Sequence, residues 1–211
     1  WLMQARNRKA NKVNDIMSRL VARLMNERRA KVWDENRKVL EILHAEVDSV
    51  LNGRAPTLAD LHNLPYSLMV IKETMRIEPT VAIIPRALVE EVELGGYLME
   101  KDSVVFIPPY IVHHDSRWWK NSEQFDPERF SEANESAIPK YPYLPFGGGP
   151  RICIGNHFSL MEAQILLTMM VSCYRLGHTR DAKIIPLRQV TTFPKYGLPM
   201  EVLLRKVSSS L

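Results

Sequence analysis

Apolar side chains recur at helical spacing through the first quarter of the chain. Residues 2–30 carry this period together with many basic side chains, which predicts a basic amphipathic helix. A second helix is predicted over residues 32–52, where Asn52 and Gly53 form a typical C-terminal end. Its inward-facing positions are expected to be Val39, Leu40, Leu43, Val47 and Val50.

The following segment changes from a helical period to a strand period. Thr57, with Asp60 three residues later, predicts the capped start of a short helix. Residues 66–77 form a further helix, which stops before Pro79 because a residue that precedes proline disfavours helical backbone. Between residues 81 and 106 the pattern predicts short strands, with a turn at Gly95-Gly96.

The second half of the chain combines a long loop, one strong helix and a terminal hairpin. Residues 115–150 show no lasting period and predict an ordered irregular loop, which is often functional. Residues 156–176 predict a helix closed by Gly177, and residues 182–205 a hairpin around Lys195-Tyr196-Gly197. The predicted fold class is mainly α with small β-sheets (α+β), in a single domain over residues 1–211. One face of the 156–176 helix is expected to carry Phe158, Met161, Ile165, Met169 and Cys173.

Composition and charge favour an ordinary globular protein with no nucleic-acid partner. The 211 residues are 45% hydrophobic and 25% charged, so a buried core is expected and extensive disorder is not. The net charge of +4 favours acidic partners or an anionic membrane surface. No stacking-aromatic or zinc-finger pattern accompanies it, which argues against nucleic acid.

The cysteine content bounds the cellular setting. Two cysteines, Cys153 and Cys173, exclude a disulfide framework and a zinc site built from cysteine pairs. Such sparse use fits a reducing compartment, so a cytoplasmic location is expected. No apolar run is long enough for a transmembrane segment, and no signal peptide follows the basic start of the chain.

The strongest chemical signal is the segment FGGGPRICIG at residues 146–155. Its three consecutive glycines allow the backbone to approach a large flat ligand and to adopt positive φ. Arg151 supplies a cation two residues before Cys153, and Cys153 precedes the start of the 156–176 helix. Both features favour the thiolate, which suits either metal ligation or nucleophilic attack.

This segment resembles the cysteine-ligand loop of the cytochrome P450 family. The resemblance covers the fixed positions Phe146, Gly149, Arg151, Cys153 and Gly155. Two upstream motifs agree with it in order. Glu73 and Arg76 stand three residues apart on a predicted helix, and Arg129 lies in the segment DPERF at residues 126–130. The resemblance implies that Glu73, Arg76 and Arg129 form a charged triad that holds the cysteine-bearing loop.

The resemblance also implies a haem b cofactor in a haem-binding core over residues 55–205. Cys153 would be its axial iron ligand, and a thiolate at this position implies oxidation chemistry. Arg86, His113 and Arg151 would contact the haem propionates, with a packed or surface histidine as the alternative for His113. Phe146 would shield the sulfur side of the iron. The expected haem contacts are Arg86, His113, Phe146, Gly147, Arg151, Cys153 and Gly155.

Substrate contacts are expected from two stretches. By the same resemblance these are the segment that follows the helix of Glu73 and a part of the terminal tail. The first stretch is apolar, which favours a hydrophobic organic substrate. The expected contacts are Val81, Ala82, Ile83, Thr191 and Thr192.

The chain resembles a shortened member of the family. The resemblance runs from about residue 40 to the C-terminus, roughly the second half of a usual member. The distal helix motif, Ala/Gly-Gly-x-Asp/Glu-Thr, has no counterpart, because no glycine precedes Gly53 and no threonine precedes Thr57. That acid and threonine help to deliver protons during oxygen activation. A peroxygenase or peroxidase that uses hydrogen peroxide is therefore the leading hypothesis.

Two alternatives stay open beside the peroxide hypothesis. The first is a monooxygenase that uses O₂ and NAD(P)H through a ferredoxin or flavin reductase. The second is a non-catalytic haem-binding protein or a remnant of the family. A shortened chain would also leave apolar surface uncovered, so either self-association or a repacking of residues 2–30 over the haem is expected.

Overall fold

The computed structural model describes residues 32–179, 184–188 and 191–205. The helix predicted over residues 2–30 lies outside these ranges. The described part consists of helices, short 3₁₀ turns and two-stranded sheets, which confirms the predicted mainly α class with small sheets. None of its helices is both long enough and apolar enough to cross a membrane.

Three long helices dominate the architecture. The helix predicted over residues 32–52 is α1, and the one predicted over residues 66–77 is α2. The third long helix, α5, begins at the predicted residue 156 but ends before residue 176. The helices are α1 (Val32–Leu51), α2 (Pro65–Ile77), α3 (Pro109–His113), α4 (Glu132–Glu135) and α5 (Asn156–Cys173), with 3₁₀ turns at Leu58–Asn63, Pro127–Phe130 and Gly149–Arg151.

The N-terminus of α2 is capped by a carboxylate from another helix. Glu46 of α1 accepts hydrogen bonds from the backbone N–H groups of Tyr66 and Ser67, at 2.6 and 2.9 Å. These are two of the donors that the first turn of a helix cannot satisfy internally. Burial raises the pKa of the Glu46 carboxyl. The short helix after Thr57 is capped as predicted, because the Thr57 N–H donates to Asp60 Oδ2 at 2.8 Å.

The apolar core lies where α1, α2 and α5 meet. Leu43 and Val47 are buried there as predicted, and Leu51 is buried as well. Val39 and Val50 pack at the edge of this cluster, whereas Leu40 is only half-buried. The buried members of the core are Leu43, Val47, Leu51, Leu64, Tyr66 and Val171.

The buried face of α5 is more polar than its sequence suggests. Gln164 and Thr168 are buried, whereas Phe158 is 63% exposed, so the apolar face expected from the sequence is not the one that α5 buries. The Gln164 amide donates to the carbonyl oxygens of Leu61 and Leu64, at 3.1 and 2.9 Å. These bonds give the buried Gln164 amide the partners that a buried polar group needs.

Each sheet is an antiparallel pair. The pairs are β1 (Ile84–Ala87) with β4 (Val104–Ile107), β2 (Val92–Leu94) with β3 (Tyr97–Met99), β5 (Tyr174–His178) with β8 (Met200–Leu204), and β6 (Pro186–Arg188) with β7 (Thr192–Pro194). The predicted turn at Gly95-Gly96 joins β2 to β3, and both glycines have positive φ, as a tight hairpin turn requires.

The predicted hairpin around residues 195–197 is wrong in its pairing. A turn is present there, but the strands on either side of it have different partners: β7 pairs with β6, and β8 pairs with β5. The pairing with β8 also explains why α5 ends at Cys173, since the next residue, Tyr174, takes extended backbone. The Arg205 guanidinium then ties the tail to α1 through Asp48, with Nη2 to Oδ2 at 2.6 Å.

Candidate functional site

A cavity of about 740 Å³ opens between α2, α5, the start of β1 and the loop that carries Cys153. Its walls are mainly apolar, with side chains such as Val70 from α2 and Leu160 and Leu167 from α5. A volume of this size and a lining of this kind are typical of sites for organic ligands and cofactors. The Cys153 side chain faces this cavity and is exposed.

The loop before Cys153 folds back on itself to present the sulfur. Gly147 and Gly149 have φ of 77° and 69°, which only glycine adopts easily. The Cys153 N–H donates to the carbonyl oxygen of Phe146 at 3.0 Å, and both residues line the cavity. Gly147 lines the cavity too, whereas Gly155 does not. A Cβ added at Gly155 would lie 3.9 Å from Cys153 Sγ.

Two arginines bring positive charge to this apolar cavity. Arg86 of β1 and Arg151 of the cysteine loop both line it. The Arg86 guanidinium donates to the carbonyl oxygen of the neighbouring Pro85 at 2.9 Å, a local contact that leaves other N–H groups for a ligand. Guanidinium groups bind carboxylates in two-pronged geometry, so the pair suits a ligand that carries carboxylates at its edge.

A fully buried ion pair fixes the irregular segment that follows α3. Glu73 and Arg76 are 0% exposed, and Arg76 Nε and Nη2 both lie 2.7 Å from the carboxylate oxygens of Glu73. Glu73 Oε1 also accepts the backbone N–H of Asp126 at 2.9 Å. Arg76 donates further to the carbonyl oxygens of His113, Ser122 and Gln124. The pair therefore fixes the irregular segment after α3 through its backbone.

The structure brings the three residues of the predicted triad together. Arg129 is the outer member: its Nε lies 3.5 Å from Glu73 Oε1, and its Nη2 donates to the carbonyl oxygen of Asn121 at 3.0 Å. Glu73 is thus the anion between two cations, and the full burial of Glu73 and Arg76 makes either of these two partners costly to remove.

An aromatic cluster that the sequence reasoning missed packs next to the triad. The Phe130 ring lies 4.7 Å from the Tyr143 ring and 6.1 Å from the Trp119 ring, and the Arg76 guanidinium lies 5.2 Å from the Trp119 ring. The Tyr143 hydroxyl donates to the carbonyl oxygen of Lys72 at 2.9 Å, and burial raises the pKa of this hydroxyl. The many aromatics of the 115–150 segment were the available signal for this cluster.

The structure does not bring His113 to the cavity, where a propionate contact was expected. His113 is fully buried, lies outside the cavity lining, and accepts the Leu144 N–H at its Nε2 atom, at 2.8 Å. Burial lowers the pKa of His113 to about 4, so the ring is neutral near pH 7. The alternative of a packed histidine is the one that the structure supports.

Only one of the five expected substrate contacts lines the cavity. Val81 lines the cavity, but Ala82 is buried against Tyr110 and Ile83 packs at the same cluster. Thr191 and Thr192 do not line the cavity, and Thr191 is exposed. The Thr192 N–H donates to the carbonyl oxygen of Thr80, a residue of the cavity wall, at 2.7 Å.

One thiol and two guanidinium groups thus line the same mainly apolar cavity. The family model for cytochrome P450 matches residues 34–200. Cytochrome P450 3A2 of Rattus norvegicus is 38% identical over 167 residues, which are 77% of this chain and 33% of that protein. Cyclooctatin synthase of Streptomyces melanosporofaciens is 34% identical over 183 residues, which are 84% of this chain and 40% of that protein.

A solved structure agrees with the sequence relatives. The crystal structure of the cytochrome P450DA heme domain superposes with a TM-score of 0.76 at 27% identity, over 82% of this chain and 38% of that one. The chain belongs to the cytochrome P450 family, as its motifs indicated. It spans about a third of the length of the curated relatives, such as 33% of cytochrome P450 3A2, and not the half expected from the motifs.

The residues present fit the haem that membership of this family implies. The donor set is one thiol from Cys153, two guanidinium groups from Arg86 and Arg151, and apolar walls. A thiol is a soft iron ligand, and the guanidinium groups match the two propionates of a porphyrin.

Proposed function

We propose that this chain is a haem-thiolate oxidoreductase that oxidises or hydroxylates a hydrophobic organic substrate. Cys153 would hold the iron of haem b. The observation that carries the proposal is the exposed Cys153 thiol in a mainly apolar cavity of about 740 Å³. A thiolate-bound haem supplies oxidation chemistry, because thiolate donation of electron density favours O–O cleavage.

The other residues of the cavity would bind and orient the haem and the substrate. Arg86 and Arg151 would pair with the propionates, and Phe146 and Gly147 would form the surface next to the sulfur. Val81 and Ile84, which also line the cavity, offer apolar contact and help to exclude water. This arrangement favours an apolar substrate.

The proposal is tested by replacing Cys153 with serine. In the reduced, carbon monoxide-bound protein we expect a long-wavelength Soret band that is lost in Cys153→Ser, because serine cannot supply the thiolate. Cys173→Ser is the matched control, since Cys173 is also an exposed free cysteine but lies outside the cavity. It should keep the band. An unchanged spectrum in Cys153→Ser would contradict the proposal.

We propose further that these 211 residues use hydrogen peroxide in preference to O₂ and a reductase. No glycine precedes Gly53 and no threonine precedes Thr57, so the sequence supplies no counterpart of the distal acid–threonine motif. Peroxide already carries the electrons and protons that O₂ activation needs, so the missing proton donors matter less.

Oxidant use can be measured directly on the haem-loaded chain. We expect product from an aromatic or fatty substrate when peroxide is added alone, and at least tenfold less with O₂, NAD(P)H and a ferredoxin or flavin reductase, since one lost proton donor typically costs about 10²–10⁴-fold. Turnover only with the reductase would favour the monooxygenase alternative. Stable haem binding without turnover by either route would favour a non-catalytic haem protein.

Self-association is a further proposal for the chain. Several large apolar side chains of α5 are exposed, and contiguous exposed apolar surface commonly marks an interface. They are Phe158, Leu166, Met169 and Met170. We expect a concentration-dependent dimer or larger species in sedimentation velocity, and a monomer at every concentration would contradict this.

A further inference from the structure

We propose that His113 is a positioning residue that transmits the fixed geometry of the Glu73–Arg76 pair to the loop carrying Cys153. The proposal rests on the proposed haem-thiolate function. It assigns to His113 a role that differs from the propionate contact expected from the sequence. His113 would act through the backbone of the loop and would touch neither the haem nor the substrate.

The first half of the connection runs from the buried ion pair to the His113 ring. Arg76 is held by both carboxylate oxygens of Glu73 at 2.7 Å, and its Nη1 donates to the His113 carbonyl oxygen at 2.8 Å. His113 is the last residue of α3 and is fully buried, so its backbone and ring have little freedom. The ring lies 5.4 Å from the ring of Tyr143.

The second half of the connection runs from the His113 ring to the cysteine. His113 Nε2 accepts the Leu144 N–H at 2.8 Å. Leu144 directly precedes Pro145, the first residue of the cysteine loop that lines the cavity. The Leu144 carbonyl oxygen then accepts the Gly147 N–H at 3.2 Å. The Phe146 carbonyl oxygen, inside this turn, accepts the Cys153 N–H at 3.0 Å. The last two contacts are backbone hydrogen bonds, so a shift at Leu144 reaches Cys153 through two hydrogen bonds.

The chemistry of the ring explains why a histidine serves at this position. Because Nε2 accepts the Leu144 N–H, it carries no proton, and the neutral ring is protonated at Nδ1, which is buried and has no hydrogen-bond partner among the described residues. A leucine or phenylalanine would fill the same space but would leave the Leu144 N–H without its acceptor. An unpaired buried N–H is costly, so the loop would move to find another partner.

Two amide variants separate the acceptor from the space that it fills. The amide of His113→Gln reaches about as far as Nε2, so its oxygen can accept the Leu144 N–H. The amide of His113→Asn ends near the position of Nδ1 and cannot. In the reduced, carbon monoxide-bound protein we expect His113→Gln to keep most of the long-wavelength Soret band. His113→Asn should shift the balance between thiolate-bound and other forms by roughly tenfold, the effect of one lost buried hydrogen bond.

Amide hydrogen exchange measures the bond itself and needs no haem. The Leu144 N–H should exchange roughly tenfold faster in His113→Asn than in the parent chain, and at nearly the parent rate in His113→Gln. A folded His113→Asn with an unchanged spectrum and unchanged Leu144 exchange would overturn the proposal. Equal loss of the Soret band in both variants, with both still folded, would also overturn it, because space and not the acceptor would then be decisive.

A measurement on the parent chain covers the case in which neither variant folds. A hydrogen bond from an amide to a ring nitrogen gives a measurable coupling between the two nitrogens in ¹⁵N-labelled protein. We expect this coupling between the Leu144 nitrogen and His113 Nε2, with or without haem, and its absence would overturn the proposal. If Cys153→Ser shows that sulfur does not bind iron while this coupling persists, the proposed function fails but the contact from His113 to the loop stands.

Discussion

Replacing Glu73 with glutamine is expected to lower the free energy of unfolding by about 3–5 kcal/mol, the usual cost of removing one partner from a buried ion pair. Glutamine matches glutamate in size, so the change removes charge and not volume. Both carboxylate oxygens of Glu73 accept hydrogen bonds from Arg76, and one also accepts the Asp126 N–H. An amide NH₂ in either position would face N–H donors. Urea unfolding followed by circular dichroism measures the loss.

The surface pair of Asp115 and Arg117 provides the matched control for this prediction. The Arg117 side chain is 80% exposed, and exposed ion pairs contribute about 0–1 kcal/mol. Arg117→Ala should therefore change the free energy of unfolding far less than Glu73→Gln does. Similar losses of unfolding free energy in Glu73→Gln and Arg117→Ala would mean that burial does not make the Glu73–Arg76 pair more stabilising than an exposed pair.

Glu73→Gln should also reduce haem retention. The Glu73–Arg76 pair acts indirectly, because it fixes the irregular segment after α3 and does not hold the haem itself. Arg76 donates to three backbone carbonyl oxygens between residues 113 and 124, and the chain reaches Cys153 only after this segment. A protein of this size has a total stability of about 5–15 kcal/mol. Losing about 3–5 kcal/mol of it should let the loop open more often and release the cofactor.

Local patterns were sufficient to predict the three long helices of the described residues and the cysteine loop, but not the short helices α3 and α4. α1 and α2 follow from the helical recurrence of apolar residues, together with Asn52-Gly53 at one end and Pro79 beyond the other. The loop at residues 146–155 is specified by its own glycines, because Gly147 and Gly149 take positive φ. Such features depend on neighbours in sequence, so one sequence is enough to find them.

Features that depend on distant partners were not predictable in this way. Gln164 is buried because it bonds to carbonyl oxygens about a hundred residues earlier in the chain, near Leu61 and Leu64. No period within α5 reveals such an acceptor. The partner of β8 likewise lies in β5, outside the tail, so the pairing predicted across residues 195–197 was wrong. The role of His113 depends on Leu144 in the same way.

Replacing Phe130 with alanine is expected to lower the free energy of unfolding by about 3–5 kcal/mol, because it removes a large buried side chain and leaves a cavity. Phe130 is 3% exposed and packs between the rings of Trp119 and Tyr143, at 6.1 and 4.7 Å. It also follows Arg129 of the triad directly, so the loss should spread to the loop system. Urea unfolding and the fraction of protein that retains haem are the two measurements.

The sharpest control is Phe158→Ala, the same chemical change at a side chain that is 63% exposed. Phe158 lies on the face of α5 that its sequence marks as apolar, so sequence alone would rank the two phenylalanines as equal. The structure ranks them differently, since surface substitutions usually stay within about 0.5 kcal/mol. Equal losses in the two variants would mean that Phe158 is covered in solution, by a second copy of the chain or by residues outside the described ranges. A large loss confined to Phe130→Ala would show that the buried aromatic cluster stabilises the fold, and a parallel loss of haem would link this cluster to the loop of Cys153.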